Sequence, residues 1–110
     1  MTQVGECPIT DAMEILGKKW VILIINQLLT GPKRFCQLES EMNISGRLLS
    51  ERLKDLEAEG LVEKKVFPDI PVRIEYELTA QGEKIEPIIK EMYAWSLERQ
   101  TSRISEHVTS

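Results

Sequence analysis

A single amphipathic segment restricts the fold of this chain more than any other part of the sequence. It begins at Ser45, a residue type that suits a helix N-cap, and it stops at Gly60, where a glycine commonly follows the last helical turn. Between them Leu49, Leu53 and Leu56 recur at helical spacing. The segment therefore predicts a helix that buries this leucine stripe against a core supplied by the rest of the chain.

The charges of this helix are separated along its length. Its first half carries one acid, Glu51, and three bases, namely Arg47, Arg52 and Lys54, whereas four acids and no base lie between residues 55 and 63. With the leucines inward, about 100° of rotation per residue points Arg47, Glu51 and Lys54 away from the core. Arg52 borders the core. The helix macrodipole disfavours cations near the N-terminal end, so an external polyanion would offset their placement. The alternative is a solvated helix face without a partner.

The flanking segments predict three helices before this one, and two strands and a helix after it. The first helix begins at Pro8 and stops at Gly17. The next segment is KKWVILIINQLLTGP, whose periodicity fits a buried strand or a buried helix and whose length favours the helix. A short third helix follows, with one apolar side formed by Phe35, Leu38 and Met42.

Two alternating segments, LVEKKVF and VRIEYEL, predict a hairpin with a stiff tip, because Pro68 and Pro71 cannot donate ladder hydrogen bonds. Thr79 suits the N-cap of one last helix, whose first turns Pro87 kinks or limits. Its apolar stripe consists of Ile85, Ile88, Ile89, Met92 and Trp95. The Ser/Thr-rich end, about residues 101–110, is expected to fray.

The composition fits one domain of 110 residues, with 42% hydrophobic and 29% charged residues. The longest apolar run is too short to cross a bilayer and no signal-peptide pattern opens the chain, so a cytoplasmic location is expected. A net charge of −4 argues against a non-specific nucleic-acid coat but allows a specific binder with clustered cations. The single His107 lies in the tail, and no catalytic triad, metal cluster or phosphate loop can be assembled. We therefore expect no enzyme, cofactor or metal site.

The leucine-striped helix follows a short helix and a turn, which is the helix-turn-helix arrangement. In that arrangement the start of the second helix enters the major groove, where phosphates would offset its cations. Lys33 and Arg34 precede the short helix, where it would cross the DNA backbone, and Arg73 follows the hairpin tip, where a wing could reach a phosphate. The predicted DNA-contacting residues are Lys33, Arg34, Ser45, Gly46, Arg47, Ser50, Glu51, Lys54 and Arg73.

Linked motifs make the chain resemble the HxlR-type branch of winged helix-turn-helix transcription regulators, relatives of the MarR group. The motifs, in order, are CP, GKKW, GPKRF, ISGRLLSERLKDLEAEGLV and PVRIEYELTAQG, followed by Trp95. The resemblance covers about residues 7–96 of a single domain spanning 1–110. It implies an α+β, mainly α, winged helix-turn-helix with additional N- and C-terminal dimerisation helices.

The same resemblance implies a homodimer that binds a pseudo-palindromic operator in double-stranded DNA, usually as a repressor. The last helix, assisted by the first, forms the interface in such dimers. The predicted interface residues are Ile85, Ile88, Ile89, Met92 and Trp95, and the alternative assigns part of this stripe to the intramolecular core. The two recognition helices would lie about 34 Å apart in successive major grooves.

The two cysteines, Cys7 and Cys36, are expected to be thiols rather than a secreted disulfide framework. Several members of the resembled family sense oxidants or electrophiles through a cysteine at the Cys7 position, and the start of a helix favours the thiolate. Lys18 or Lys19 would help if the fold brought them near. Cys36 is interpreted as a small core or surface thiol. As a sensor, Cys7 reacts alone or forms a Cys7–Cys36 bridge between subunits. The alternative is a structural, half-buried Cys7.

Two other interpretations stay open. MarR relatives often hold a small molecule between the DNA-binding lobe and the dimer helices, and a cavity here would be lined by Trp20, Phe35, Met92 and Trp95. The same residues also suit a plain core. The acidic composition would instead suit a winged-helix module that binds proteins and has lost DNA binding.

Overall fold

The computed structural model describes residues 7–109, and the side chains of residues 7–103. Residues 1–6, Ser110 and the side chain of His107 lie outside that part. The described elements, in chain order, are α1 (Pro8–Leu16), α2 (Val21–Leu28), β1 (Lys33–Arg34), α3 (Phe35–Met42), α4 (Gly46–Ala58), β2 (Val62–Phe67), β3 (Arg73–Leu78), α5 (Ala80–Glu83) and α6 (Glu86–Thr109).

The core lies where α2, α3 and α4 meet one face of the small sheet. Helix α2 buries Val21, Ile24, Ile25 and Leu28, a spacing that confirms the helical interpretation of this β-branched run. On α4 the predicted stripe is buried, and its three leucines are each 1% exposed or less. Mutual burial of these two helix faces holds the domain together.

The sheet has three antiparallel strands in the order β1-β3-β2, one more strand than the sequence predicts. Strands β2 and β3 form the predicted hairpin, with Lys64 opposite Tyr76. The additional strand, β1, pairs Lys33 with Tyr76 and Arg34 with Glu75. A strand of two residues has no alternation to detect, and only its tertiary pairing defines it.

The predicted last helix is divided in two. Thr79 caps only the four-residue α5, where its Oγ accepts from the Gly82 N–H at 3.1 Å and donates to the Gly60 carbonyl at 2.6 Å. Helix α6 starts afresh at Glu86, with Pro87 in its first turn, a position that proline favours. Helix α6 then continues to Thr109, through most of the segment expected to fray, since no glycine or proline follows Pro87.

Helix α6 extends beyond the domain core. None of its described side chains is buried, and Ile89, which packs against the core, is only partly covered. The radius of gyration is 17.1 Å, whereas a compact chain of this length has about 13 Å. No helix in the described range is both long and apolar enough to cross a membrane.

We predict that Leu53→Ala destabilises the domain by about 2–5 kcal/mol, because it leaves a cavity beneath α4. Urea denaturation at fixed protein concentration measures this loss. Leu23→Ala is the matched control, since Leu23 is 52% exposed, and it should cost less than about 1 kcal/mol. Equal losses in the two variants would contradict the packing described here.

Candidate nucleic-acid interface

Helices α3 and α4 form a helix-turn-helix joined by a turn of three residues, Asn43 to Ser45. Asn43 takes the left-handed conformation, with φ of 53°, and Ile44 is 5% exposed and anchors the turn in the core. Ser45 is the predicted N-cap, since its Oγ accepts from the Leu48 N–H at 3.2 Å. The turn and the cap together fix the direction in which α4 leaves the core.

Arg47 and Lys54 lie on the outer face of α4, as the helical geometry predicts. The Arg47 side chain is 92% exposed, and its Nε lies 3.6 Å from Oε2 of Glu51 on the same face. Lys54 is exposed and takes part in none of the ion pairs formed within residues 7–103. An exposed pair of this kind is worth little in water, so Arg47 can exchange Glu51 for another anion.

Arg52 has a different environment, and the hypothesis that all three cations of α4 await an external anion is wrong for it. Its side chain is only 22% exposed. The Nε donates to the Lys19 carbonyl at 3.0 Å and Nη1 donates to Asp55 Oδ2 at 3.3 Å. The charge of Arg52 is therefore compensated within the chain.

A carboxylate that the sequence interpretation missed lies against the start of α4. A methyl group added at Gly46 would approach Oε2 of Glu39 to 2.7 Å. The negative charge of Glu39 is favourable here, because the N-terminal end of the α4 macrodipole is positive and the first turn of α4 contains no acid. Helical spacing shows that Glu39 belongs to α3, but only the angle between α3 and α4 brings it to Gly46.

The cations before α3 differ in availability. The Lys33 side chain is 18% exposed, and its Nζ lies 3.8 Å from Oε1 of Glu41. Arg34 is exposed at the N-cap of α3, where its backbone N–H donates to Gln37 Oε1 at 2.8 Å. Arg34 is therefore a better candidate than Lys33 for a phosphate contact.

Ser50 is half-buried on the flank of α4.

Arg73 differs most from its predicted environment. Its Nε donates to Asp69 at 3.0 Å, its Nη1 donates to Glu75 at 2.6 Å, and its guanidinium stacks 4.1 Å from the centre of the Phe67 ring. The hydrogen bonds that Arg73 donates to Asp69 and then to Glu75 raise the pKa of Arg73. The structure therefore does not present Arg73 as an unpaired wing cation, because two carboxylates already neutralise it.

Cys7 occupies the N-cap of α1, and its side chain is exposed. The backbone N–H groups of Thr10 and then Ile9, with the Thr10 hydroxyl, lower the pKa of Cys7 by favouring the thiolate. The two lysines considered as helpers follow the opposite end of this nine-residue helix, where Lys18 pairs with Asp55. The helix start, and not these lysines, therefore lowers the pKa of the Cys7 thiol.

Cys36 is also a free, exposed thiol, at the second position of α3. Of the two predicted environments, a surface thiol is correct and a core thiol is wrong. Among residues 7–103, no group of three His, Cys, Asp or Glu residues is arranged to hold a metal ion.

The apolar stripe of α6 is divided between two surfaces. Ile85 and Ile89 pack against the core. Ile88, Met92 and Trp95 are 45%, 47% and 63% exposed, and with Pro87 and Glu91 they line an open apolar groove of about 480 Å³.

Within residues 7–103, the predicted lining of the small-molecule cavity is divided between two places. Trp20 and Phe35 pack against the core and do not line the groove that contains Met92 and Trp95.

Comparison with known proteins gives a consistent result. The family model described as HxlR-like helix-turn-helix matches residues 15–104. The HTH-type transcriptional regulator YvaP of Bacillus subtilis is 50% identical over 100 residues, covering 89% of this chain and 93% of that protein.

Solved structures agree with the sequence relatives. The reduced form of the transcriptional regulator YodB from B. subtilis superposes with a TM-score of 0.76 at 42% identity, covering 83% of this chain and 91% of that chain. The redox regulator HypR in its oxidized form gives a TM-score of 0.79 at 32% identity, covering 84% and 96%. These neighbours support the winged helix-turn-helix fold, and the relatives are regulators rather than enzymes.

Proposed function

This chain belongs to the HxlR-like helix-turn-helix family of DNA-binding transcriptional regulators, and we propose that it is a homodimeric, sequence-specific repressor released from DNA when Cys7 is modified. The observation that carries the proposal is the outer face of α4, where Arg47 and Lys54 are exposed on the second helix of a helix-turn-helix. Double-stranded DNA with a pseudo-palindromic operator is the proposed partner.

Each candidate contact follows from its position. Arg47 lies in the first turn of α4, so its guanidinium can reach a guanine edge, while Lys54 and Arg34 suit phosphates. Ser45 and Ser50 are small and permit close approach, whereas Gly46 leaves room for the Glu39 carboxylate and Glu51 lies beside Arg47. Lys33 and Arg73 would first have to leave their carboxylate partners.

We predict that Arg47→Ala weakens operator binding by about 1–3 kcal/mol and relaxes preference at one base position. Fluorescence anisotropy with single-base variants of a duplex from the chain's own promoter measures both effects. The control, Lys84→Gln, also removes one positive charge, from an exposed site away from α4, and should preserve base preference. Unchanged base preference in Arg47→Ala would reduce Arg47 to a backbone contact.

We propose that a second copy of the chain packs against the exposed apolar face of α6. The spacing of Ile88, Met92 and Trp95 places them on one face of the helix, and a monomer leaves all three in water. On α1, Ile9 and Met13 are 72% and 54% exposed at helical spacing, which supports assistance from the first helix. Burial of both faces in a symmetric interface would remove this apolar surface from water.

We predict that Met92→Lys shifts the chain from dimer to monomer in sedimentation velocity, because it places a charge in the apolar groove. Val66→Lys is the control, since Val66 is 59% exposed on the hairpin and lies outside α6. This control should remain dimeric. Circular dichroism confirms that both variants are folded. A Met92→Lys variant that stays dimeric would contradict this interface.

Thiol sensing is supported by the exposed Cys7 at the start of α1 and by the likeness to HypR, which is named a redox regulator. The Cys7 thiolate would attack an electrophilic carbon to form a C–S bond, or a disulfide sulfur with release of the other thiolate. The exposed Cys36 of the partner would be the second thiol if an oxidant makes a bridge between subunits. In both cases the change at α1 would alter the spacing of the recognition helices.

We predict that Cys7→Ser abolishes release of DNA by diamide or a quinone in a gel-shift assay and leaves binding under reducing conditions intact. Cys36→Ser separates the two routes, since it blocks diamide release only if a Cys7–Cys36 bridge is required. Release that persists in Cys7→Ser would contradict the proposed sensor.

The acidic composition favours one other function, a winged-helix module for protein partners. DNA affinity separates the two, because phosphate contacts make binding fall steeply with salt. Absent or salt-insensitive binding to the chain's own upstream region would support the protein-interaction module.

A further inference from the structure

A polar clamp joins the recognition helix α4 to the turn between α1 and α2. Arg52 Nε donates to the Lys19 carbonyl at 3.0 Å, across 33 residues of sequence. Its Nη1 lies 3.3 Å from Asp55 Oδ2, and Lys18 Nζ lies 3.4 Å from the same oxygen. One charged side chain of the turn region, Lys18, and one backbone carbonyl, that of Lys19, are thus held against α4.

The turn that the clamp holds has a strained backbone. Trp20, the N-cap of α2, has φ of 80° and ψ of −15°, a left-handed conformation that a tryptophan rarely adopts. Such a conformation persists only when its surroundings impose it. The Lys19 carbonyl belongs to the peptide unit directly before Trp20, so the hydrogen bond from Arg52 acts on the strained unit itself.

The polar contacts of the clamp are better suited to setting the angle between α4 and the α1–α2 turn than to stabilising the fold. Its side chains are 22–43% exposed, and partly exposed ion pairs contribute little to folding. The planar guanidinium of Arg52 donates in two fixed directions, to the turn and to Asp55, which a lysine cannot reproduce. The arrangement therefore adds a directional contact between α4 and the α1–α2 turn to the core packing that orients α4.

We propose that Arg52 is a positioning residue for DNA recognition, which sets the separation and relative rotation of the two α4 helices that the dimer presents to its operator. This inference rests on the proposed function, because α1 and α6 supply the proposed dimer surface. Because α1 carries part of the proposed dimer surface, holding α4 against the α1–α2 turn sets the position of each α4 relative to the dimer axis. Without the clamp, α4 can tilt, and the dimer tolerates half-sites at other spacings.

The test is a series of operator duplexes with one base pair added or removed between the half-sites. Each step moves a half-site by about 3.4 Å and rotates it by about 34°. We expect the wild-type chain to lose about tenfold or more in affinity per step. We expect Arg52→Gln to lose about threefold or less, with Arg52→Lys in between and Lys84→Gln like the wild type. Thermal melts verify that each variant is folded, and Arg52→Lys serves if Arg52→Gln does not fold.

The outcomes separate this inference from the function it rests on. A folded Arg52 variant with the wild-type spacing profile, even at lower overall affinity, would overturn the positioning role. A wild-type chain that binds all spacings equally would overturn both the dimeric operator and the clamp.

Amide hydrogen exchange gives a second readout without DNA. The Val21 N–H, which donates to the Lys18 carbonyl at 3.2 Å in this turn, should exchange about tenfold faster in Arg52→Gln, as a local opening. Unchanged exchange at Val21 would overturn the clamp.

Discussion

Three leucines of α4 are buried in the same core as the apolar face of α2, and this burial decides what the opposite side of α4 can present. Since Leu49, Leu53 and Leu56 are almost fully buried, residues half a turn away must face outward. Arg47, Glu51 and Lys54 occupy that outward face. The packing of the core therefore determines which residues form the proposed DNA surface, because a rotation of α4 would expose leucines and bury charges.

A chain with net charge −4 can still present a cationic surface, because its charges are distributed unevenly. The acids of the hairpin are largely engaged with bases, as Glu75 is with Arg73 and Glu77 with Lys65. On α4 the strongest internal pairing lies on the inner flank, at Arg52 and Asp55. Outward on α4 lie the cations Arg47 and Lys54, and the carboxylates of Glu51 and Glu39 lie close to the first of them. The proposed DNA contact therefore lies on this one edge of the molecule.

Local chemistry was sufficient to predict several elements of this structure. Ser45 and Gly60 mark the ends of α4, and the leucine spacing orients it, because caps and periodicity act within a few residues. The Lys19 carbonyl as a partner of Arg52, and Asp69 as a partner of Arg73, were not predictable in this way. Lys19 lies 33 positions from Arg52, and Asp69 approaches Arg73 only because the Pro-containing tip folds back. The same limit applies to β1 and to Glu39, whose roles depend on pairing and packing angles between elements. A stripe such as Ile85 to Trp95 likewise does not reveal which members face the core.

A nuclear magnetic resonance titration of the isotopically labelled chain with a duplex from its own promoter tests the central claim most directly. The account predicts that the largest amide shift changes fall between residues 45 and 54, with smaller ones at Arg34. It also predicts that the buried ends of α2 change little. Changes concentrated on α6 or the hairpin, with residues 45–54 unaffected, would contradict the assignment of α4 as the DNA-contacting helix.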